Sequence, residues 1–302
     1  MEASYTTIRD LKLKVYTTKE RTHMHEENSL IKPKIVALFG NPVKHSLSPI
    51  MHNIAFDELK MNWFYFAFEV DKRKLEEAIT GIKTMDFRGA NITVPFKKQV
   101  CDFVDRLTNE AHFIGAVNTI INNEGELIGD NTDGFGFVRA LIANKLNIEN
   151  EKILLLGAGG AARAISYSLM KNYECDLTIA NRTLLNAELL TQDLEEVTMK
   201  NIKSYPLNEV FRIISNFDII INTLPVDPPP RIIDSLINNS NTCQIFIDIR
   251  YGKMLSKYFK ALEEVDIKTM DGKTMLLYQG VLSFEKWTGV KPPIKTMKRA
   301  LL

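Results

Sequence analysis

The chain has 302 residues, 45% hydrophobic and 25% charged, with a formal net charge of +1, which suits one large or two ordinary globular domains with an ample core. It shows no basic surplus for nucleic acid or an anionic membrane, no apolar run long enough for a membrane span and no apolar signal core, so a cytoplasmic chain without nucleic-acid or membrane partners is expected. Cys101, Cys175 and Cys243 are odd in number, far apart and outside any CxxC pair, and the five histidines show no metal-ligand spacing; reduced thiols and no metal site are expected.

Residues 1–33 are polar and charged, with no sustained apolar period beyond Leu11 to Tyr16, and they end at Pro33. They read as an N-terminal extension whose removal is expected to leave activity and thermal stability nearly unchanged. Strand and helix then alternate: a strand over 35–39, a helix over 50–59, a strand over 63–70, a helix opened by Asp71 and a strand over 90–94. This is an α/β unit, and two of its loops are unusual. His45-Ser46-Leu47-Ser48-Pro49 puts two hydroxyls beside a helix start, with the proline placed as its first residue. Hydroxyls and free helix N–H groups can converge on an anion there, although an ordinary serine cap for the helix at Pro49 explains the same residues. Thr93-Val94-Pro95-Phe96-Lys97 sets a lysine just past a strand and at a helix start. The helix dipole disfavours a cation at that end, so Lys97 is either a solvated surface lysine or a proton donor and acceptor.

Ile120 to Ile128 reads as a hairpin turning near Asn123 to Gly125, which would hold Asn118 and Asp133 at one end of a sheet. Asp133 could equally cap the helix that follows, over 134–146. The domain junction is expected near Thr132, giving a substrate domain over 34–131 and a dinucleotide domain over 132–272.

The stretch from Lys152 to Leu169, KILLLGAGGAARAISYSL, carries the strongest single pattern: an apolar strand, a turn Gly157-Ala158-Gly159-Gly160, and a helix with Ala164, Ile165, Leu169 and Met170 at helical spacing. The spacing is GxGxxA, with Ala162 third. Such a turn leaves backbone N–H groups free at a helix N-terminus, where a pyrophosphate fits, and glycine permits its close approach. A glycine turn of any α/β core would look the same in isolation. The next strand, 177–180, ends in Asn181-Arg182-Thr183, about 20 residues past the first glycine, where an NAD site presents an acid to the ribose. An arginine there suits a 2′-phosphate, so NADP is the expected cofactor; a solvated arginine beside a helix cap is the other explanation. Further strands are expected over 217–222, 244–248 and 265–270, with a rigid break at Asp227-Pro228-Pro229-Pro230. Helices over 272–289 and 291–302 close the chain. The fold class is α/β, with two domains, the second a doubly wound dinucleotide-binding domain.

From Lys34 onward the chain resembles the shikimate dehydrogenase family, through motifs in one order: GNPVKHSLSPIMHN, GANITVPFK, IGAVNT, DNTDGFGF, GAGGAARA, NRT and MLLYQGVLSFEKWTG. The resemblance implies reversible NADPH-dependent reduction of 3-dehydroshikimate to shikimate, in the chorismate route to aromatic amino acids. It implies C-terminal helices, 273–302, that return to the substrate domain. By position, Ser46, Ser48 and Tyr251 would take the substrate carboxylate, and Thr93, Asn118 and Gln279 its hydroxyls. Lys97 and Asp133 would be catalytic. Gly157, Ala158, Gly159, Gly160, Ala161, Asn181, Arg182, Thr183 and Thr223 would hold NADP. A homodimer is compatible with this. The family usually reads Asn-Ala-Thr-Pro-x-Gly-Met after the strand ending at Asn222, whereas this chain reads Asn222-Thr223-Leu224-Pro225-Val226-Asp227-Pro228, so weaker nicotinamide positioning is expected. A proline usual after Tyr251 is also absent. The rivals are a quinate/shikimate dehydrogenase, against which Ser48 and Arg182 lean, and a non-catalytic NADP-binding relative, against which Lys97 and Asp133 argue.

Overall fold

The computed structural model describes residues 32–239, 243–252 and 255–301. The extension over 1–33 lies outside these residues apart from Lys32 and Pro33. No helix among the described residues is long and apolar enough to cross a membrane.

The first sheet is built from β1 (Lys34–Gly40), β2 (Trp63–Glu69), β3 (Gly89–Ile92), β4 (Arg106–Leu107), β5 (Thr119–Asn123) and β6 (Glu126–Asp130), in the order β2-β1-β3-β5-β6-β4. β1, β2 and β3 are parallel; β5 and β6 form the expected antiparallel hairpin. β1, KIVALFG, is almost wholly apolar because helices cover both its faces. On one side lies α1 (Ser48–Glu58), whose Met51, Ala55 and Phe56 cluster with Val36 and Leu38. On the other lies α2 (Leu75–Thr84), with Leu75, Ile79 and Ile82 against Ala37 and Phe39. The helix opened by Asp71 begins as a 3-10 turn over Lys72–Lys74, which Asp71 caps by accepting from the Arg73 N–H at 2.9 Å.

The second sheet comprises β7 (Lys152–Leu156), β8 (Asp176–Asn181), β9 (Lys203–Pro206), β10 (Ile219–Asn222), β11 (Ile245–Asp248) and β12 (Lys268–Met270), all parallel, in the order β12-β11-β10-β7-β8-β9. The chain winds one way from β7 to β9 and the other way from β10 to β12, so the order reverses between β7 and β10. A crevice outside the strand C-termini forms at such a reversal. After α3 (Asn109–Ile114), the helices around this sheet are α4 (Asp133–Ala143), α5 (Gly160–Asn172) and α6 (Leu184–Thr198) on one face, and α7 (Pro230–Asn238) and α8 (Ser256–Glu263) on the other. The proline break starts α7, where Pro230 is the first residue and needs no N–H partner.

α9 (Lys273–Thr288) and α10 (Ile294–Arg299) close the described chain. α9 sends Leu277, Val281, Phe284 and Trp287 into the core beneath β1 and α1. The last helices thus complete the core of the first sheet.

Candidate active site

A cleft of about 560 Å³ opens between the two sheets, lined from the first by Ser46, Ser48, Thr93, Lys97 and Asn118, and from the second by Thr223 and Ile249. Asp133, at the start of α4, and Gln279, in α9, line the same space.

At its floor the Lys97 Nζ donates to Asp133 Oδ2 at 2.7 Å, with side-chain exposures of 29% and 9%. Asn118 Nδ2 donates to the other carboxylate oxygen at 2.7 Å. The N-cap of α4 is Thr132, so the Asp133 carboxylate does not cap the helix and faces Lys97 and Asn118 instead. Asn118 is oriented by the Thr132 N–H, which donates to its Oδ1 at 2.8 Å. The β5–β6 hairpin fixes this register, with the Asn118 N–H donating to the Asp130 carbonyl at 3.0 Å. Lys97 lies in a turn ahead of a short 3-10 helix, Gln99–Phe103, and buried Phe96 anchors it. Its carbonyl accepts from the Val117 N–H at 2.7 Å. The ammonium is therefore held from two loops.

Ser46 and Ser48 stand at the mouth of α1, and the expected position of the proline needs correction. The helix starts at Ser48, its N-cap is Leu47 without a side-chain cap bond, and Pro49 is the second residue. Ser46 Oγ accepts from the Ser48 N–H at 3.3 Å. Thr93 approaches β1 closely, because a Cβ on Gly40 would sit 2.3 Å from its Cγ2. Gln279 reaches the cleft because α4 packs hard on α9: a Cβ on Gly136 would lie 2.7 Å from the Gln279 backbone nitrogen. Tyr251 lines the cleft at 38% exposure, and burial pushes its phenol up.

A second layer escaped the sequence reading. Asn91, buried in β3, donates to the Asn118 carbonyl at 3.1 Å and to Ser283 Oγ of α9 at 3.1 Å, and accepts from the Tyr65 hydroxyl at 2.8 Å. Thr119 Oγ1 donates to Asn118 Oδ1 at 2.8 Å. The signal was an asparagine inside an apolar strand, since a buried amide needs partners on every side.

On the other wall, Gly157 adopts φ +113°, and a Cβ there would lie 2.4 Å from Thr223 Oγ1. Thr223 donates from that hydroxyl to the Leu156 carbonyl at 2.7 Å, so β7 and β10 are pinned together where the strand order reverses. Gly159 is the N-cap of α5 with no side-chain cap bond, and a Cβ on it would meet nothing within 4 Å. Gly160 opens the helix and Ala161 lines the cleft. Together with Ala158 between the two glycines, this end of α5 leaves its N–H groups open to an anion, the geometry a pyrophosphate requires. Asn181 Nδ2 donates to the Thr183 carbonyl at 3.0 Å, shaping the turn after β8. Arg182 in that turn is exposed, and no ion pair or hydrogen bond engages its guanidinium among the described residues. Thr183 is the N-cap of α6 without a cap bond. These residues fit NADP, and the exposed Arg182 guanidinium is free to take an anionic group.

The unusual loop has its own anchor. Leu224 and Pro225 line the cleft, whereas Val226 is 62% exposed. Asp227 pairs with Arg250 at 3.0 Å. Arg250 also grips the buried Asp248 with two nitrogens, at 3.1 and 2.9 Å, and Asp248 accepts from Asn222 Nδ2 at 2.6 Å. The Asp227 carboxylate is thereby engaged by Arg250, which itself lines the cleft.

Three family models match: the shikimate dehydrogenase substrate-binding domain over residues 38–120, shikimate/quinate 5-dehydrogenase over 140–272, and the shikimate 5′-dehydrogenase C-terminal domain over 272–302. A shikimate dehydrogenase (NADP+) from Carboxydothermus hydrogenoformans is 42% identical over 89% of this chain and 96% of its own length. One from Methanococcus maripaludis is 42% identical over 90% and 98%. A crystal structure of a shikimate dehydrogenase in complex with NADP+ superposes with a TM-score of 0.81 at 36% identity, covering 89% of this chain and 94% of that one. That of the Listeria monocytogenes enzyme with shikimate and NAD gives 0.80 at 31%, covering 89% and 96%. With a cleft between a substrate sheet and a doubly wound sheet, and relatives this similar along nearly its whole length, the chain belongs to the shikimate dehydrogenase family.

Proposed function

We infer that the protein catalyses the reversible NADPH-dependent reduction of 3-dehydroshikimate to shikimate, as a cytoplasmic enzyme whose substrate half is residues 34–131 with the C-terminal helices and whose cofactor half is 132–272. The observation that carries this is the Lys97–Asp133 pair at 2.7 Å, buttressed by Asn118, on the floor of a cleft that also reaches the bare N-terminus of α5. NADPH supplies the hydride when bound. Hydride addition turns a ketone into an alkoxide, which needs a proton and nearby positive charge. Lys97 Nζ delivers that proton to the carbonyl oxygen and stabilises the charge as it develops. Asp133 holds the ammonium in line, and the Asn118 amide keeps the carboxylate fixed. Ser46, Ser48 and Tyr251 bind the substrate carboxylate at the opposite end, while Thr93, Asn118 and Gln279 hydrogen-bond the ring hydroxyls. Arg182 selects the 2′-phosphate.

Side-by-side turnover of shikimate and quinate, each with NADP+ and NAD+, tests this. Oxidation of shikimate with NADP+ in clear preference is the expected result. Preference for quinate, or cofactor binding without oxidation of either polyol, would overturn it.

A further inference from the structure

β2 is the outermost strand of the first sheet, bonded to β1 along one side and to no other strand among the described residues. Phe64, Phe66 and Phe68 alternate along it on one face and are 44%, 46% and 41% exposed. Their rings follow one another at centroid separations of 6.1 and 6.5 Å. α2 covers the same face of the sheet over β1, through Leu75, Ile79 and Ile82 on Ala37 and Phe39, but leaves the row on β2 half bare. An open backbone edge lined by three aromatic rings is a template for another strand, and folded proteins cover or charge such edges.

We propose that residues 11–16 of this chain form the strand that covers the β2 edge. Leu11, Leu13 and Val15 alternate with Lys12, Lys14 and Tyr16, the period of a half-buried strand. Six residues at about 3.3 Å each make about 20 Å, close to the length of seven-residue β2. The position of the chain at the start of β1 favours this edge. Lys34 is the register partner of Trp63, the first residue of β2, so the chain enters the sheet at the foot of that strand. A strand beyond β2 stands about 10 Å from β1, and residues 17–33 reach up to about 55 Å. An antiparallel strand brings Tyr16 to the foot of β2 and keeps that return short. Leu11, Leu13 and Val15 then lie over the phenylalanine row. Lys12 and Lys14 fall on the face where Ala67 and Glu69 are exposed, leaving the new outer edge charged. The sequence alone gave this stretch nothing to pack against; the sheet edge provides the surface.

Amide hydrogen exchange on the full chain and on a Leu11→Asp/Leu13→Asp double variant tests the proposal, with sizing chromatography of both. Both substitutions fall outside the residues that line the cleft, and unchanged catalytic turnover verifies that the variant is folded. The expected result is that exchange in peptides covering 11–16 and 63–69 is at least tenfold faster in the variant, with β3 peptides unaffected and both proteins eluting as the same species. Equal protection of 63–69 in the two proteins would overturn the proposal. So would protection that appears only with concentration alongside a dimer, which would give the edge to a second copy of the chain.

Discussion

Lys97 and Asp133 contact each other directly, so removing either leaves the other short of its partner in the cleft. Lys97→Ala takes away the proposed proton donor, a role worth about 10²- to 10⁴-fold in such reactions, and kcat is expected to fall by that order while the Kd for NADPH stays unchanged. Near-normal kcat would remove Lys97 from the chemistry. Arg182 is exposed and unengaged, so its substitution tests cofactor selection without disturbing packing. Arg182→Asp is expected to weaken NADP+ relative to NAD+ by about 1–3 kcal/mol, read from the two Kd values; an unchanged ratio would mean that the guanidinium serves another purpose. His52 makes a prediction about acid. It is completely buried, lies flat on Tyr65 at 4.6 Å with 6° between the rings, and neither ring nitrogen has a partner. Burial lowers its pKa from 6.5 to about 3. The folded state therefore keeps His52 neutral while the unfolded chain takes up a proton below pH 6.5, so its contribution is intact above that pH and is lost progressively as pH falls toward 3. Between pH 7 and 4.5 this costs about 2–3 kcal/mol. Urea midpoints of the wild type and His52→Phe should diverge over that window, and parallel pH dependences would refute the assignment.

At the scale of elements, the parts legible in the sequence were those with a local cause. The β7–turn–α5 unit announced itself because apolar periodicity, a glycine needing φ +113° and an uncapped helix start all lie within about twenty residues. The β5–β6 hairpin and the lysine loop were legible for the same reason. α3, β4 and β9 were not: they have six, two and four residues, too short for a period to develop, although Thr108 capping α3 and Gly115 ending it at φ +64° were readable signals. The Asp227–Arg250 pair was invisible because its partners are brought together only when β10 and β11 lie side by side. That pair refines the expectation for the loop after β10. Leu224 and Pro225 face the cleft, while Asp227 is held by Arg250, which lines the same cleft. Replacing Val226-Asp227 with Gly-Met releases the loop from Arg250, which keeps Asp248 as its partner. The Kd for NADPH should then fall, or kcat rise, a few-fold. No change in either would mean that the loop does not govern the nicotinamide.

The whole molecule is two sheets joined by helices that belong to one in sequence and to the other in space. α9 follows the last strand of the second sheet, yet Trp287 donates from Nε1 to the Ile120 carbonyl of β5 at 2.9 Å and lies 5.4 Å from His52 by ring centroids. Gly89 is required beneath it, since a Cβ there would sit 2.5 Å from the indole nitrogen. Lys286, one residue earlier, pairs with buried Asp130 of β6 at 2.6 Å. In the opposite sense, Arg163 of α5 donates to the Ile114 and Phe113 carbonyls at the end of α3, both at 3.0 Å. The first sheet therefore depends on residues that arrive last in the chain, whereas the core of the second is assembled chiefly from residues between α4 and β12. Truncating an aromatic of this size in a core costs about 3–5 kcal/mol, and Trp287→Ala also strips the Ile120 carbonyl of its donor. That loss falls on one half of a two-part molecule, where a single unfolding midpoint ceases to describe the whole. Calorimetry of Trp287→Ala should show two transitions where the wild type shows one or two closer together. The earlier one should involve the first sheet, and NADPH should raise only the later one, because a ligand stabilises the unit that binds it. A single transition shifted as a block, with NADPH moving all of it, would mean that the halves unfold together and that α9 couples them more tightly than its contacts with the first sheet imply.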